Sequence, residues 1–188
     1  MLGLIRRNFR YLDAATFTTI YKVMVRSQLE YAQCVWQPHK QKDIEALEKV
    51  QKRATRLIPS IRHLPYPARL QFLRLPTLAY RRVRGDMIEV YKILHGHYPP
   101  AATPDLHLQT TSETQGHNFK LFKSRCLKNI RYHSFCTRVV NEWNALPYDI
   151  VNAGTINSFK NQLDTHWDSR KYLCTYPTSS GNTQFTFK

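Results

Sequence analysis

The chain has 188 residues, of which 42% are hydrophobic and 12% aromatic, and this composition excludes a wholly disordered polyelectrolyte. Lysine and arginine outnumber acidic residues by 28 to 13, which gives a net charge of +15 and indicates a polyanionic partner, although a merely soluble basic protein also fits. Residues 1–100 hold 18 of these cations against 7 acids, so we expect a phosphate backbone to be held there.

The first predicted element is a long helix over residues 14–32. Asp13 precedes it and suits the N-cap position, because its carboxylate can accept hydrogen bonds from the first backbone N–H groups. Apolar residues at helical spacing predict one buried face, which consists of Phe17, Ile20, Tyr21, Met24 and Tyr31. A break should follow around Pro38, since a proline disfavours helical backbone at the residue before it.

The second predicted helix begins at Asp43, which we expect to cap it, and Pro59 ends it. Its apolar stripe has steps of three and four and consists of Ile44, Leu47, Val50, Ala54, Leu57 and Ile58. Two favourable i,i+4 ion pairs are expected on its surface, Glu45 with Lys49 and Glu48 with Lys52. Arg53 and Arg56 add charge near the C-terminal end, where it suits either the helix dipole or a phosphate.

A short helix is predicted over residues 67–73, and a longer one from Pro76 to near His95 with Gly96 as its stop. The longer helix has an apolar stripe made of Tyr80, Val83, Met87, Val90, Tyr91 and Leu94. Three arginines lie close together in it, at positions Arg81, Arg82 and Arg84. The glycine that follows at position 85 indicates close helix packing or close approach of a ligand.

Residues 97–118 are rich in Pro, Thr, Ser and Gln and predict a linker or a long surface loop. Residues 119–131 then carry five cations and no acid, interleaved with Phe119, Leu121, Phe122, Leu127 and Ile130. Such mixing suits a nucleic-acid surface, where cations hold phosphate and rings stack on bases, and equally an ordinary amphipathic segment. Helices are expected over 134–146 and after a cap at Thr155, and residues 168–188 are expected to be disordered.

A search of the sequence for catalytic chemistry finds no glycine-rich phosphate loop, no nucleophile elbow and no zinc-binding helix motif. Asp164 and Asp168 lie four residues apart, but exposed carboxylates on a terminal turn are usually solvated. Zinc sites usually show two tight pairs of ligands, and the group Cys126, His133 and Cys136 contains only one such pair. For this reason we expect the cysteines to be small buried apolar residues rather than metal ligands. We therefore expect neither an enzyme nor a cofactor or metal.

The cysteines and the N-terminal residues bear on location. The four cysteines, Cys34, Cys126, Cys136 and Cys174, are too few and too scattered for a secreted disulfide scaffold. The first residues do not have the pattern of a signal peptide, and no stretch approaches the ~20 apolar residues that a membrane span needs. We expect an intracellular protein, nuclear or cytoplasmic, without a membrane partner.

The order of several motifs resembles the region after the catalytic palm in LINE-type (non-LTR) retrotransposon reverse transcriptases. The motifs are Leu4-Ile5-Arg6-Arg7-Asn8-Phe9, Val25-Arg26-Ser27-Gln28-Leu29-Glu30-Tyr31, Val35-Trp36-Gln37-Pro38, the run from Asp43 to Arg56, the run from Arg81 to Ile93, Arg138-Val139-Val140-Asn141-Glu142-Trp143-Asn144-Ala145-Leu146-Pro147, and Ser158-Phe159-Lys160. The resemblance covers about residues 2–168. It implies a thumb domain, a helical bundle that grips a template–primer duplex, followed by the C-terminal connector of such a polymerase.

The departure from the family is the absence of the palm's Asp-Asp box and its partner aspartate, so the resemblance implies no polymerase activity and no metal at a primer end. The expected architecture is all-α, with a thumb-like basic bundle over 1–96, a linker or loop over 97–118, a helical module over 119–167 and the tail over 168–188. The expected function is non-catalytic binding of RNA or DNA, as duplex or hybrid, through the template–primer backbone.

We expect the phosphates to be bound chiefly by Arg6, Arg7, Lys49, Lys52, Arg53, Arg56, Arg81, Arg82 and Arg84. The secondary candidates are Lys120, Lys123 and Lys128. Two alternatives remain open. In the first, the chain is a helical protein-interaction module whose partner is the missing palm or another protein. In the second, it is a truncated retroelement remnant without an activity of its own.

Overall fold

The computed structural model describes residues 1–9, 11–109 and 117–172, and this part of the chain is helical, as predicted. The α-helices are α1 (Leu2–Asn8), α2 (Ala14–Ile20), α3 (Ser27–Glu30), α4 (Gln41–Ala54), α5 (Tyr66–Leu73), α6 (Leu78–Leu94), α7 (Asn129–Tyr132), α8 (Phe135–Asn144), α9 (Tyr148–Val151) and α10 (Ile156–His166). An isolated antiparallel bridge joins Leu108 and Leu121. No helix among the described residues is long and apolar enough to cross a membrane.

The chain forms two compact units. The first unit comprises residues 1–82 together with 169–172, and the second comprises residues 83–168. The division falls inside α6, whereas the composition had suggested a boundary at 97–118. Polar, proline-rich composition marks where a loop runs, but the unit to which a helix belongs depends on which core its side chains enter, and composition does not encode that.

In the first unit, the predicted helix over 14–32 is built from three helical segments. A π-helical segment, Tyr21–Arg26, lies between α2 and α3. The N-cap prediction is confirmed, because the Asp13 carboxylate accepts hydrogen bonds from the backbone N–H groups of Ala15 and Thr16 at 3.0 and 3.2 Å. Tyr31 was wrongly assigned to the buried face: helix ends at Glu30, and Tyr31 is 77% exposed.

α4 differs from its prediction at its start and on its inner face. It begins at Gln41, so Asp43 lies in the first turn rather than at the cap. Glu48 and Gln51 are buried, although both are polar. The predicted surface pair of Glu48 with Lys52 is therefore wrong, because the Glu48 side chain points into the core.

A buried hydrogen-bond network holds α4 against α5 and the start of α6. The hydroxyl of Tyr21 donates to Oε1 of Gln51 at 2.6 Å, and Nε2 of Gln51 donates to the hydroxyl of Tyr66 at 3.2 Å. The Tyr66 hydroxyl and the backbone N–H of Leu78 both donate to the Glu48 carboxylate, the latter at 3.0 Å. Burial raises the pKa of Glu48, and these hydrogen bonds offset the shift only in part.

The ends of α6 are fixed by local signals. The hydroxyl of Thr77 accepts a hydrogen bond from the backbone N–H of Tyr80 at 3.2 Å, so the helix begins two residues after the predicted Pro76. Gly96 stops it as predicted, with φ +68°, and the N–H of His97 donates to the carbonyl of Lys92 at 2.9 Å. This pattern is a Schellman motif, which requires the left-handed conformation that glycine adopts without strain.

The second unit is organised around the α8 residues Trp143 and Asn144. Trp143 is fully buried, and its indole N–H donates to the carbonyl of Phe119 at 2.8 Å. Asn144 exchanges two hydrogen bonds with the backbone of Leu121, at 2.8 and 2.9 Å. On α10 the hydroxyl of Thr155 accepts from the N–H of Ser158, which confirms the predicted cap.

The last described residues are ordered, although disorder was expected from residue 168. Asp168–Arg170 form a 3₁₀ turn, and the carbonyl of Lys171 accepts a hydrogen bond from the N–H of Thr77 at 3.0 Å. Tyr172 packs against the core of the first unit. The rest of the predicted tail, residues 173–188, lies outside the described residues.

Candidate nucleic-acid interface

The solvent-facing side of α4 carries a row of cations. Lys42, Lys49 and Arg53 are exposed on this helix, and Arg56 is exposed on the 3₁₀ turn Thr55–Leu57 that follows it. At about 100° per residue, Lys42, Lys49 and Arg53 lie within about 40° of one another around the axis, and their rise spans about 16.5 Å. We call these four residues the cationic stripe.

A buried arginine lies beneath the C-terminal end of the cationic stripe. Arg69 is 1% exposed, its Nη1 donates to the carbonyl of Lys52 at 3.4 Å, and its guanidinium lies over the Tyr66 ring. Burial lowers the pKa of Arg69, and the charge of Arg56 lowers it further. Arg69 thus supports the carbonyl of Lys52 near the end of α4 and adds positive potential close to Arg56. Lys52 itself is half-buried.

The three arginines of α6 are engaged within the protein. Arg81 donates to both carboxylate oxygens of Glu30, with Nη2 at 2.8 Å from Oε2. Arg84 binds Asp164 in the same bidentate manner. Arg82 is only 2% exposed.

Because Arg82 is buried, it is not available to a phosphate backbone in this structure, and we correct its assignment. Arg81 and Arg84 are half-buried, and each already has an anionic partner. None of the three belongs to the cationic stripe, and phosphate binding by Arg81 and Arg84 stays a prediction.

The remaining predicted cations lie elsewhere. Arg6 and Arg7 are exposed in the last turn of α1. Lys128 is exposed and precedes α7, whereas Lys120 is half-buried. Lys123 donates to Oδ1 of Asn141 at 3.1 Å and lies over the Tyr132 ring. Of the twelve predicted residues, the structure brings Lys49, Arg53 and Arg56 together on one face.

The exposed segment between Phe122 and Arg131 combines cations with exposed apolar side chains, the two features expected of it. Phe122, Leu127 and Ile130 are 56%, 92% and 86% exposed, and cations alternate with them. The segment includes only the short helix α7, so its apolar side chains do not form one buried amphipathic face.

Two cations of the first unit, Lys42 and Arg26, are absent from the phosphate-binding residues predicted from the sequence. The signal for Lys42 was available, because it lies seven residues before Lys49 and thus on the same face of a helix. The i,i+4 spacing of Arg26 and Glu30 is likewise visible in the sequence, whereas the relation of Arg26 to Arg81 depends on the folding of a chain segment of more than fifty residues.

Two acidic residues of the second unit, Asp86 and Asp164, serve as structural partners of arginines. Asp86 is buried and accepts two hydrogen bonds from Arg138, at 2.9 and 3.0 Å. Asp164 accepts from Arg84. Among the described residues, no group of three or more His, Cys, Asp or Glu side chains is placed to hold a metal ion, and Cys34, Cys126 and Cys136 form no disulfide.

Comparison of the chain with protein-family models, with curated proteins and with solved structures gives no match.

Proposed function

We propose that this all-α chain is a non-catalytic nucleic-acid-binding protein that contacts the sugar–phosphate backbone of a duplex or hybrid. In this proposal it resembles the thumb and C-terminal part of a non-LTR retrotransposon reverse transcriptase. The cationic stripe binds consecutive phosphates. Arg6 and Arg7 are further candidate phosphate contacts in the first unit, and Lys123 and Lys128 are separate candidates in the second unit. Such contacts do not depend on base sequence.

The observation that carries the proposal is the composition of the cationic stripe. After Asp43 in the first turn, the exposed residues of α4 are Ala46, Lys49 and Arg53, and no exposed acid lies among them. A helix that needs charge only for solubility usually mixes both signs along its exposed face. A row of cations along one face instead matches a row of phosphates.

The direct test is duplex binding by a stripe variant, Lys49→Gln/Arg53→Gln/Arg56→Gln. Binding is measured by fluorescence anisotropy with labelled DNA and RNA–DNA duplexes of about 20 base pairs, which exceed the length of the stripe. The loss of three phosphate contacts should weaken binding at least about 100-fold at ~0.1 M salt, because each contact releases about one counterion.

A control variant with the same loss of charge is Lys22→Gln/Arg62→Gln/Arg74→Gln, which changes exposed residues of the first unit outside α4. It should weaken binding far less than the stripe variant. Equal losses in the two variants would contradict the proposal, because binding would then follow net charge rather than the stripe. Primer extension by the wild-type chain would contradict its non-catalytic part.

A second candidate function is a helical protein-interaction module. It is favoured by exposed large apolar residues concentrated in the first part of the chain, namely Met1, Leu4, Phe9, Tyr11, Val23, Tyr31, Val35 and Trp36. Self-association in sedimentation velocity that persists at about 1 M salt would support it, since apolar contacts are not screened by salt. Equal duplex binding by the stripe variant and the wild type would favour it over the first proposal.

A further inference from the structure

Trp36 differs from the other two tryptophans in its exposure. It is 41% exposed, whereas Trp143 and Trp167 are 0% and 4% exposed. Two contacts hold its ring: Nε1 donates to the carbonyl of Tyr31 at 2.6 Å, and the guanidinium of Arg82 lies over the ring at 5.9 Å from its centroid. An exposed indole held in one orientation is a preformed flat apolar surface.

The turn that carries Trp36 adopts a backbone conformation that is unfavourable for its residue. Ala32 has φ +49°, in the left-handed region that favours glycine. The backbone N–H groups of Val35 and Trp36 both donate to the carbonyl of Ala32, at 2.9 and 3.2 Å. Strain of this kind concentrates at functional sites, where the surrounding structure maintains it.

A pair of arginines lies beside this turn and shares one carboxylate. Arg81 binds both oxygens of Glu30, and Nε of Arg26 lies 3.8 Å from Oε1 of the same group. In the described part of the chain, Glu30 is the only carboxylate within 4.0 Å of either guanidinium. Burial lowers the pKa of Arg26, and the charge of Arg81 lowers it further. One positive charge there is uncompensated and partly shielded from water.

The groups that accept hydrogen bonds from Arg81 and from the tryptophan ring belong to consecutive residues. The Glu30 carboxylate forms ion pairs with both arginines of the pair, and the carbonyl of Tyr31 accepts a hydrogen bond from the indole N–H. Arg81, which binds Glu30, also precedes Arg82, whose guanidinium lies over the tryptophan ring, so both features belong to one neighbourhood of the first unit. A ligand that combines an anionic group with a flat ring matches that combination. The side chains of Arg26 and Arg81 are 18% and 26% exposed, so they remain accessible to such a group.

We propose that Trp36, Arg26 and Arg81 form a site for one unpaired nucleotide of a single-stranded nucleic acid. The base stacks on the Trp36 ring, and the phosphate binds the arginine pair. Bases in a duplex are already stacked and paired, and an acidic peptide offers carboxylates without a flat face, so the single strand fits best. The inference rests on the proposed function only in taking the ligand to be nucleic acid, because the cationic stripe consists of other residues.

The test uses the intrinsic fluorescence of the full chain. Because Trp143 and Trp167 are buried, quenching by an added ligand reports chiefly on Trp36. An oligothymidylate of about eight nucleotides should quench the emission saturably, since this length matches the site sizes of proteins that stack single strands. A blunt duplex and polyglutamate at the same phosphate or carboxylate concentration should quench it much less.

Two substitutions separate stacking from other effects. Trp36→Leu should weaken oligothymidylate binding, measured by anisotropy, by about 5- to 150-fold, which corresponds to the loss of one stacked base. Trp36→Phe keeps an aromatic face and should retain most of the affinity. Near-ultraviolet circular dichroism and thermal melting of both variants establish that the fold is kept.

The inference is overturned by an absence of quenching, by equal quenching with the duplex, or by unchanged affinity in Trp36→Leu. Quenching by polyglutamate alone would overturn it as well and would identify an acidic protein segment as the partner. The stripe variant should keep the quenching by oligothymidylate while losing duplex binding. Failure of the proposed function appears in the duplex experiment, and failure of this inference appears in the oligothymidylate experiment, so the two are distinguishable.

Discussion

Glu48 shows how one residue of an apparently amphipathic helix can be misread. Its i,i+4 spacing to Lys52 suggests a surface ion pair, but it is 8% exposed and binds Tyr66 and the N-terminus of α6. A buried carboxylate that caps a neighbouring helix stabilises that helix end while costing desolvation free energy. The raised pKa of Glu48 means that desolvation is the larger effect.

The first prediction concerns the pH dependence of stability in Glu48→Gln. In the wild type the folded state binds the Glu48 proton more tightly than the unfolded state does, so this group's contribution is fully present below the unfolded pKa and is lost as pH rises through the folded pKa. In urea denaturation, the wild-type free energy of unfolding should therefore fall relative to that of Glu48→Gln as pH rises from about 4.5, by at most about 1.4 kcal/mol per pH unit. A constant difference between the two proteins across this range would show that Glu48 is not desolvated.

At the scale of elements, helix ends are set by local geometry that the sequence displays. Asp13, Thr155 and Gly96 each perform the capping role that their position indicates. The α6 stop depends on the left-handed backbone of Gly96, while Gly3 lies inside α1 without such a requirement. A Cβ atom added at either glycine would meet no side chain or distant backbone atom within 4 Å, so backbone conformation alone distinguishes them.

The second prediction compares Gly96→Ala with Gly3→Ala. Gly96→Ala should lower the free energy of unfolding by about 1–2 kcal/mol, because an L-residue is strained at positive φ. Gly3→Ala should leave it unchanged or raise it by up to about 1 kcal/mol, since alanine favours helix. Denaturation with urea measures both, and equal effects in the two variants would contradict the assignment of Gly96 as the helix stop.

At the scale of the whole molecule, the sequence predicts the helices and their apolar faces better than it predicts the partners of charged residues. The apolar periods of α4, α6 and α10 identify helices because burial on one face imposes them. The partners of Arg81 and Arg84 lie 51 and 80 residues away, so nothing local distinguishes these arginines from exposed ones. The buried pairing of Gln51 with Tyr21 and Tyr66 is unpredictable for the same reason.

The same reasoning explains which part of the candidate interface could be foreseen. Lys49, Arg53 and Arg56 were identified as cations of the second predicted helix, and the four-residue spacing of Lys49 and Arg53 places those two on one helix face. The contacts of Trp36 with Tyr31 and Arg82 depend on the turn at Ala32, and an alanine gives no sequence signal for the left-handed backbone found there. Local sequence thus identifies the cationic stripe except for Lys42, and tertiary structure is needed to identify the proposed nucleotide site.

The measurement that most directly tests the central claim is the salt dependence of duplex binding by the wild type and the stripe variant. Each phosphate contact contributes about −0.9 to the slope of log K against log salt concentration. We expect the stripe variant to have a slope shallower by about 2.7, and the control variant to keep the wild-type slope. Identical slopes in the wild type and the stripe variant would contradict the claim that the exposed face of α4 binds the nucleic-acid backbone.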